Sequence, residues 1–412
     1  MTVRNAALAA REAERTLGIA ATEEKNRALR LIADALIGNA PAILSANGED
    51  VERERAAGMT AALIDRLSLD EKRIAGIADG VRQVAALPDP VGETVGETVR
   101  PNGLEIKRVR VPLGVIGMIY EARPNVTADA AALTLKSGNA VLLRGSRSAR
   151  RSNEVITEII RGALSKTAVP ADSVILLSSE SHESVAELTA LRGLVDLIIP
   201  RGGAGLIKSV AESSRVPVLE TGVGNCHVYI DRDADPVMAE NICVNAKVSR
   251  PSVCNAAESF LFHRERPDLL VRVCSALRER GVTVHGCPET VALFPDAVPA
   301  TEDDYFREYL SLDAAVKVVA DVGEAIAHIA KYGTGHTEAI VTENDGTAEK
   351  FIREIDAACV NRNASTRFTD GGEFGFGAEI GISTQKLHAR GPVGLRELTS
   401  YKYVVTGNGQ IR

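Results

Sequence analysis

The apolar residues Ala28, Leu29, Ile32, Ala33, Leu36 and Ile37 recur at three- and four-residue intervals within a stretch rich in Ala, Leu, Glu and Arg. That spacing lays one apolar stripe along each helix and predicts a helical region over residues 2–86. Pro88, Pro90 and Gly92 break the pattern. Residues 99–111 then read as extended, turning at Asn102-Gly103 before Leu104, Ile106, Val109 and Val111. The apolar positions change parity after Ile106, which predicts a bulge or a basic edge strand carrying Lys107, Arg108 and Arg110.

Short β-branched runs alternate with amphipathic stretches through the middle of the chain. They predict strands at 113–119, 140–143, 174–177, 195–199 and 216–219, with helices near 127–135, 152–164, 183–191 and 206–212. Strands separated by helices imply right-handed crossovers and a parallel, doubly wound α/β sheet. Ligands bind beyond the carboxyl ends of such strands, so the segments after Ile119, Leu143 and Ile199 are the places to search. A second block follows, with helices at 236–248 and 269–280, strands at 227–230 and 259–262, and a further βα rhythm over 315–341. Beyond Cys359 the chain is glycine-rich and irregular until an alternating strand at 399–405.

The length of 412 residues exceeds what one core organises and predicts two or three domains. With 45% apolar and 25% charged residues the chain is of folded, globular type. Its 48 basic and 55 acidic residues leave a net charge of −7, which disfavours nucleic acid as a partner. The absence of Trp works against base-stacking platforms. Residues 111–120 form the longest apolar run, half of a membrane span, and no targeting segment is recognised, so a cytoplasmic location is expected. The six cysteines are irregularly spaced, which fits a reducing compartment rather than a disulfide framework.

Cys254 is set apart by its neighbours Ser249-Arg250-Pro251-Ser252-Val253. They describe a junction loop in which Arg250 and Lys247 can favour a thiolate, so Cys254 is the candidate nucleophile. Cys226, Cys243, Cys274, Cys287 and Cys359 read as packing residues. Cys226-His227 and His285-Gly286-Cys287 lack the spacing of a zinc site, and no metal is expected. Arg201-Gly202-Gly203-Ala204-Gly205 opens a helix after a strand, where backbone N–H groups can receive a phosphate, although a βα turn needs glycine for its conformation as often. Asn125 follows another strand and is either an N-cap or an amide donor for an oxyanion. Arg144-Gly145-Ser146-Arg147 follows a third and offers cations and hydroxyls to a ribose phosphate, or forms a solvated loop.

Five strings of sequence carry a resemblance: 119–127 (IYEARPNVT), 199–205 (IPRGGAG), 245–255 (NAKVSRPSVCN), 363–372 (NASTRFTDGG) and 383–392 (STQKLHARGP). Together they resemble the gamma-glutamyl phosphate reductase (glutamate-5-semialdehyde dehydrogenase) family of the aldehyde dehydrogenase superfamily, nearly end to end. The resemblance implies an aldehyde-dehydrogenase-like fold with two doubly wound α/β domains and a small β oligomerisation element. It places an NADP(H)-binding domain at 1–98 and 113–221, a catalytic domain at 222–366, and the oligomerisation strands at 99–112 and 380–412. It implies NADPH-dependent reduction of L-glutamyl 5-phosphate in proline biosynthesis. Cys254 then matches the nucleophile, and Asn125, with the Cys254 backbone N–H, the oxyanion site. Arg144, Gly145, Ser146 and Arg147 match the adenosine ribose phosphate loop, Gly202, Gly203 and Gly205 the diphosphate turn, and Glu308 the nicotinamide ribose. By location and charge, Arg123, Arg201, Asn363, Ser365, Thr366 and Arg367 are candidates for the substrate's amino and carboxylate groups. A homo-oligomer is implied, and association with the upstream glutamate kinase is left open. The alternative is a hydrolytic aldehyde dehydrogenase with Glu220 as general base, disfavoured because Thr221-Gly222-Val223-Gly224 lacks that group's usual continuation.

Overall fold

The computed structural model describes residues 1–181 and 183–412, and of Ala62 the backbone alone. Helices α1 (Val3–Leu17), α2 (Thr22–Gly38), α3 (Ala40–Ala56), α4 (Ala61–Leu67) and α5 (Glu71–Ala86) open the chain. Thr2 caps α1 by accepting from the Asn5 N–H at 3.2 Å, and Asp70 caps α5 through the Arg73 N–H at 2.6 Å. Ala28, Leu29, Ile32, Ala33 and Leu36 form the buried stripe of α2, whereas Ile37 falls outside it. No single described helix is long and apolar enough to cross a membrane.

The chain divides into two compact units, residues 1–221 with 375–381 and 393–412, and residues 222–374 with 382–392. In the first, β1 (Thr94–Val99) and β2 (Glu105–Pro112) pair antiparallel. Strands β3 (Val115–Tyr120), β4 (Ala140–Arg144), β5 (Val174–Leu176) and β6 (Leu197–Arg201) form a parallel sheet in the order β5-β4-β3-β6. Helices α6 (Asn125–Lys136), α7 (Arg150–Leu164), α8 (Glu183–Ala190) and α9 (Ala204–Ser213) alternate with them. Ile119 pairs with Arg144, and Tyr120 with Arg201, so the loops after β3, β4 and β6 start at one level of the sheet.

The second unit holds β7 (Cys226–Ile230), α10 (Pro236–Val248), β8 (Ala257–His263), α11 (Pro267–Arg278), β9 (Thr283–Gly286), α12 (Pro288–Leu293), β10 (Val298–Pro299) and α13 (Glu302–Phe306). Then come β11 (Asp313–Val319), α14 (Val322–Tyr332), β12 (Thr337–Val341), α15 (Asp345–Glu354) and β13 (Cys359–Arg362). Its seven strands run parallel in the order β10-β9-β11-β8-β7-β12-β13. Val228, Phe260 and Phe262 of the sheet meet Leu269, Leu270, Val273 and Leu277 of α11 in its core. Each such side chain contributes about 1.5–3 kcal/mol by leaving water. The pair β14 (Ile382–Ser383) and β15 (Gly391–Pro392) also belongs here, while β16 (Thr399–Thr406) joins β2 in the first unit.

Three expectations are corrected. Residues 216–219 form no strand but an isolated bridge of Val218 to Ile198, because Pro217 has no N–H to extend a ladder. β2 is the central strand of β1-β2-β16, not an edge, and the irregularity lies in β1, where Thr94 and Gly96 face Val109 and Arg108. Residues 382–392, expected among the oligomerisation strands, pack in the second unit, where the Ile382 carbonyl accepts the Gly222 N–H at 2.9 Å.

Candidate active site

In the second unit, Asp235 caps α10 through the Met238 N–H at 2.7 Å, and the helix runs to Val248. The eight residues that follow before β8 leave Cys254 partly exposed at a turn. The backbone behind it is fixed by a close approach. A Cβ on Gly224 would stand 1.6 Å from the Cys254 carbonyl oxygen and 2.8 Å from its Cα, so only glycine fits there. The Gly224 N–H in turn donates to Glu308 Oε1 at 2.8 Å, and burial raises the Glu308 carboxyl above its ordinary range against the pull of that hydrogen bond. Glu308, expected at the nicotinamide ribose, thus has one oxygen committed to the strap under the nucleophile. Cys226, read as packing, donates its thiol to the Cys254 carbonyl at 3.2 Å.

Lys247 is not the cation that the sequence offered to the thiolate. It is fully buried and paired at 2.5 Å with Glu258, which also accepts the Leu310 N–H at 3.2 Å. Burial pushes the Glu258 carboxyl up to about 7 against the attraction of Lys247, and lowers the lysine. Arg367 is a cation close to the cysteine in this unit. It donates to Ser249 Oγ at 3.3 Å and lies within electrostatic reach of Cys254, with burial and the charge of Arg250 lowering its guanidinium.

The other candidates nearby are spent on structure. Thr366 donates its hydroxyl to the Asn255 carbonyl at 2.7 Å, and Asn255 donates to the Thr369 carbonyl at 3.0 Å. Ser365 accepts the Arg367 N–H at 3.3 Å. Asn363, at φ +53°, exchanges two bonds of 2.9 Å with the backbone of Thr342. These contacts bind the 363–369 segment to the residue after the cysteine. Of that candidate group, Arg367 keeps a side chain suited to an anionic substrate.

The first unit carries the other candidates at the carboxyl edge of its sheet. Asn125 is the first residue of α6, with Pro124 in the cap position, and its Nδ2 donates to Asp129 Oδ2 at 2.9 Å, so the N-cap reading fails. Arg123 and Glu121 lie in the same loop, and the Glu121 carboxylate accepts the Gly203 N–H at 2.9 Å in front of α9. An anion already sits at that helix N-terminus, as the dipole favours. Gly202 is packed against Glu121, while nothing stands within 4 Å of a Cβ on Gly205. Arg201 ends β6, partly exposed.

Arg144 is 6% exposed and donates to Ser184 Oγ and the carbonyls of Gly145 and Ser181 at 3.1, 2.8 and 2.7 Å. It is spent on Ser184 and the Ser181 and Gly145 carbonyls, and burial lowers its guanidinium. Gly145 is closed in by Asn153, 2.1 Å from a would-be Cβ. Arg147 is exposed with no ion pair among the described residues, beside the Ser146 and Ser148 hydroxyls 2.6 Å apart. Arg147 with the Ser146 and Ser148 hydroxyls thus remains the exposed polar group of this edge, whereas the start of α9 is occupied by the Glu121 carboxylate. Glu220 lies in the first unit, next to the end of its 1–221 segment, and is partly exposed. Asp129, Gly224 and Glu258 escape a reading of the sequence, since each matters through a partner in another turn or element.

Residues 1–284 match the family model described as "Aldehyde dehydrogenase family". A gamma-glutamyl phosphate reductase of Carboxydothermus hydrogenoformans is 57% identical over 411 residues, covering 100% of this chain and 99% of its own. One from Thermobifida fusca is 56% identical over 411 residues, covering 100% and 98%. The crystal structure of gamma-glutamyl phosphate reductase from Thermotoga maritima aligns with a TM-score of 0.98 at 52% identity, over 100% of both chains. The chain therefore belongs to the aldehyde dehydrogenase family, among the gamma-glutamyl phosphate reductases.

Proposed function

We propose that this chain reduces L-glutamyl 5-phosphate to L-glutamate 5-semialdehyde and phosphate with NADPH, the second step of proline biosynthesis from glutamate. The observation that carries the reading is the Cys254 loop, partly exposed and backed by a glycine that leaves no room for a side chain. It is joined to full-length relatives that bear the activity in their names.

The Cys254 thiolate attacks the acyl carbon, the bond from that carbon to the phosphate oxygen breaks, and phosphate leaves with the electron pair. The acyl group is then a thioester on Cys254. A nicotinamide cofactor supplies hydride when bound, and Arg147, Ser146 and, once Glu121 releases the Gly203 N–H, the start of α9 are the groups that would hold its phosphates. Cys254 leaves as thiolate when the aldehyde carbonyl forms. The Asn125 amide, with the Cys254 backbone N–H, stabilises the oxyanion of both steps, worth roughly 3 kcal/mol per donor. Arg123, Arg201 and Arg367 are the cations available to the substrate's carboxylate and phosphate. An acyl phosphate is already activated, so the chemistry needs no base to hydrolyse the thioester, and Glu220 has no role in it.

The remaining assignments follow the same reading: a cytoplasmic homo-oligomer acting on a small molecule, with the kinase that makes the acyl phosphate as the partner to test. Replacing Cys254 by Ala or Ser tests the thiol. NADP reduction with L-glutamate 5-semialdehyde and phosphate should fall to background in both, and full activity in either would end the mechanism.

A further inference from the structure

Asp129 has no place in the reaction as derived so far. It lies one turn after Asn125 on α6, largely buried, and it accepts a hydrogen bond of 2.9 Å from the Asn125 amide. Among the described residues, that amide on its own helix bonds its carboxylate, and the Arg201 guanidinium from the end of β6 acts on it electrostatically. Arg201 is itself hemmed in by Gly381, whose Cβ would stand 3.1 Å from the nearer guanidinium nitrogen.

An amide side chain has a donor end and an acceptor end, and nothing in its shape chooses between them. A carboxylate only accepts, so an ionised Asp129 holds the nitrogen end toward itself and leaves the second N–H of that nitrogen for another acceptor. A protonated Asp129 also donates, and the amide can then turn its oxygen inward. The orientation of Asn125 is thereby tied to the ionisation of a second residue.

We propose that Asp129 is a positioning residue, whose carboxylate keeps the Asn125 amide turned so that its free N–H serves the substrate oxyanion. The proposal rests on the oxyanion role assigned to Asn125 above. Burial pushes the Asp129 carboxyl up to about 6, with the Asn125 bond and Arg201 pulling the other way. The carboxylate form therefore prevails above that pH and gives way to the protonated form below it. Its ionisation is held at a cost to the fold, because a carboxyl raised on folding stabilises the protein below its unfolded value and loses that contribution as pH rises through about 6.

The test is kcat against pH for NADP reduction by wild type, D129N, D129E and N125A, with thermal midpoints at pH 7.5. In wild type, kcat should fall on the acid side with a midpoint near 6. D129N should lose about tenfold in kcat at pH 7.5, the order expected when a catalytic group is misaligned. Its KM for the semialdehyde should stay within about twofold, its acid limb should vanish, and its thermal midpoint should be equal to or above that of wild type. D129E, which keeps the carboxylate, should recover part of the rate and the acid limb. Adding D129N to N125A should cost nothing further. Wild-type kcat with an unchanged acid limb in D129N would overturn the proposal, as would a fall in thermal midpoint that accounts for the lost activity. Wild-type kcat in N125A would defeat the oxyanion role of Asn125, and the proposal with it, while the reductase assignment, tested at Cys254, would stand.

Discussion

A single missing side chain shapes the nucleophile loop. At Gly224 a methyl group would overlap the Cys254 carbonyl, so Gly224→Ala should displace the cysteine backbone. We expect a loss of about 3 kcal/mol in unfolding free energy, as for a forced overpacking, together with a fall in kcat of more than about tenfold. Denaturant midpoints and steady-state rates check both, and unaltered values would remove Gly224 from the site. At the other end of the chemistry, Arg147 is an exposed cation without an ion-pair partner among the described residues. If it receives the additional phosphate of NADP(H), Arg147→Ala should raise KM for NADP by about tenfold, one charge-assisted contact's worth, and leave KM for NAD unchanged. Equal effects on the two cofactors would place that phosphate elsewhere. Arg144, its neighbour in sequence, should show no such selectivity, because its guanidinium is buried among carbonyls and a hydroxyl.

The buried pair of Lys247 and Glu258 ties the end of α10 to the start of β8, and through the Leu310 N–H to the turn beyond α13. Removing one partner strands the other, so Lys247→Met should cost about 3–5 kcal/mol. With the cation gone, Glu258 moves further above its unfolded range. A carboxyl raised in this way stabilises the fold below its unfolded pKa and loses that contribution as pH rises through its folded value. The variant should therefore weaken steadily as pH rises past 7, and urea midpoints that stay level there would contradict the pairing. Elements of this kind were legible where local signals agree. The helix at 236–248 is one of these, starting where Pro236 follows the Asp235 cap, whereas the breaks that divide residues 2–86 into five helices were not read. The run at 216–219 misled, since its apolar residues suit a strand while Pro217 forbids the ladder. Cys254 was legible from its loop, but the groups that hold it were not. Gly224 lies 30 residues away and Glu308 a further 84 from Gly224, distances that only the folded β7, β8 and α13 bring together. Asp129 was hidden differently, as an ordinary polar residue on a helix whose importance depends on which way the Asn125 amide points.

Across the whole molecule, the candidate residues fall in both units, Cys254 and Arg367 in one and Asn125, Arg147 and Arg201 in the other. The first unit also carries β16, whose Tyr401, Tyr403 and Val405 alternate onto one face at 48%, 62% and 56% exposure. Contiguous apolar exposure of that kind marks an interaction surface, which the homo-oligomer proposed above would cover. Tyr403→Asp combined with Val405→Asp should lower the molar mass seen by light scattering without changing the far-ultraviolet circular dichroism, and an unaltered mass would place the subunit contact elsewhere. The central claim concerns the fate of the acyl group on Cys254, and phosphate decides it. Run toward oxidation, a reductase of acyl phosphates must release the acyl group to phosphate, whereas a hydrolytic enzyme releases it to water. The most direct measurement is NADP reduction by the purified protein with L-glutamate 5-semialdehyde, with and without inorganic phosphate. The account predicts turnover that rises with phosphate and vanishes in its absence. An equal rate without phosphate would contradict it.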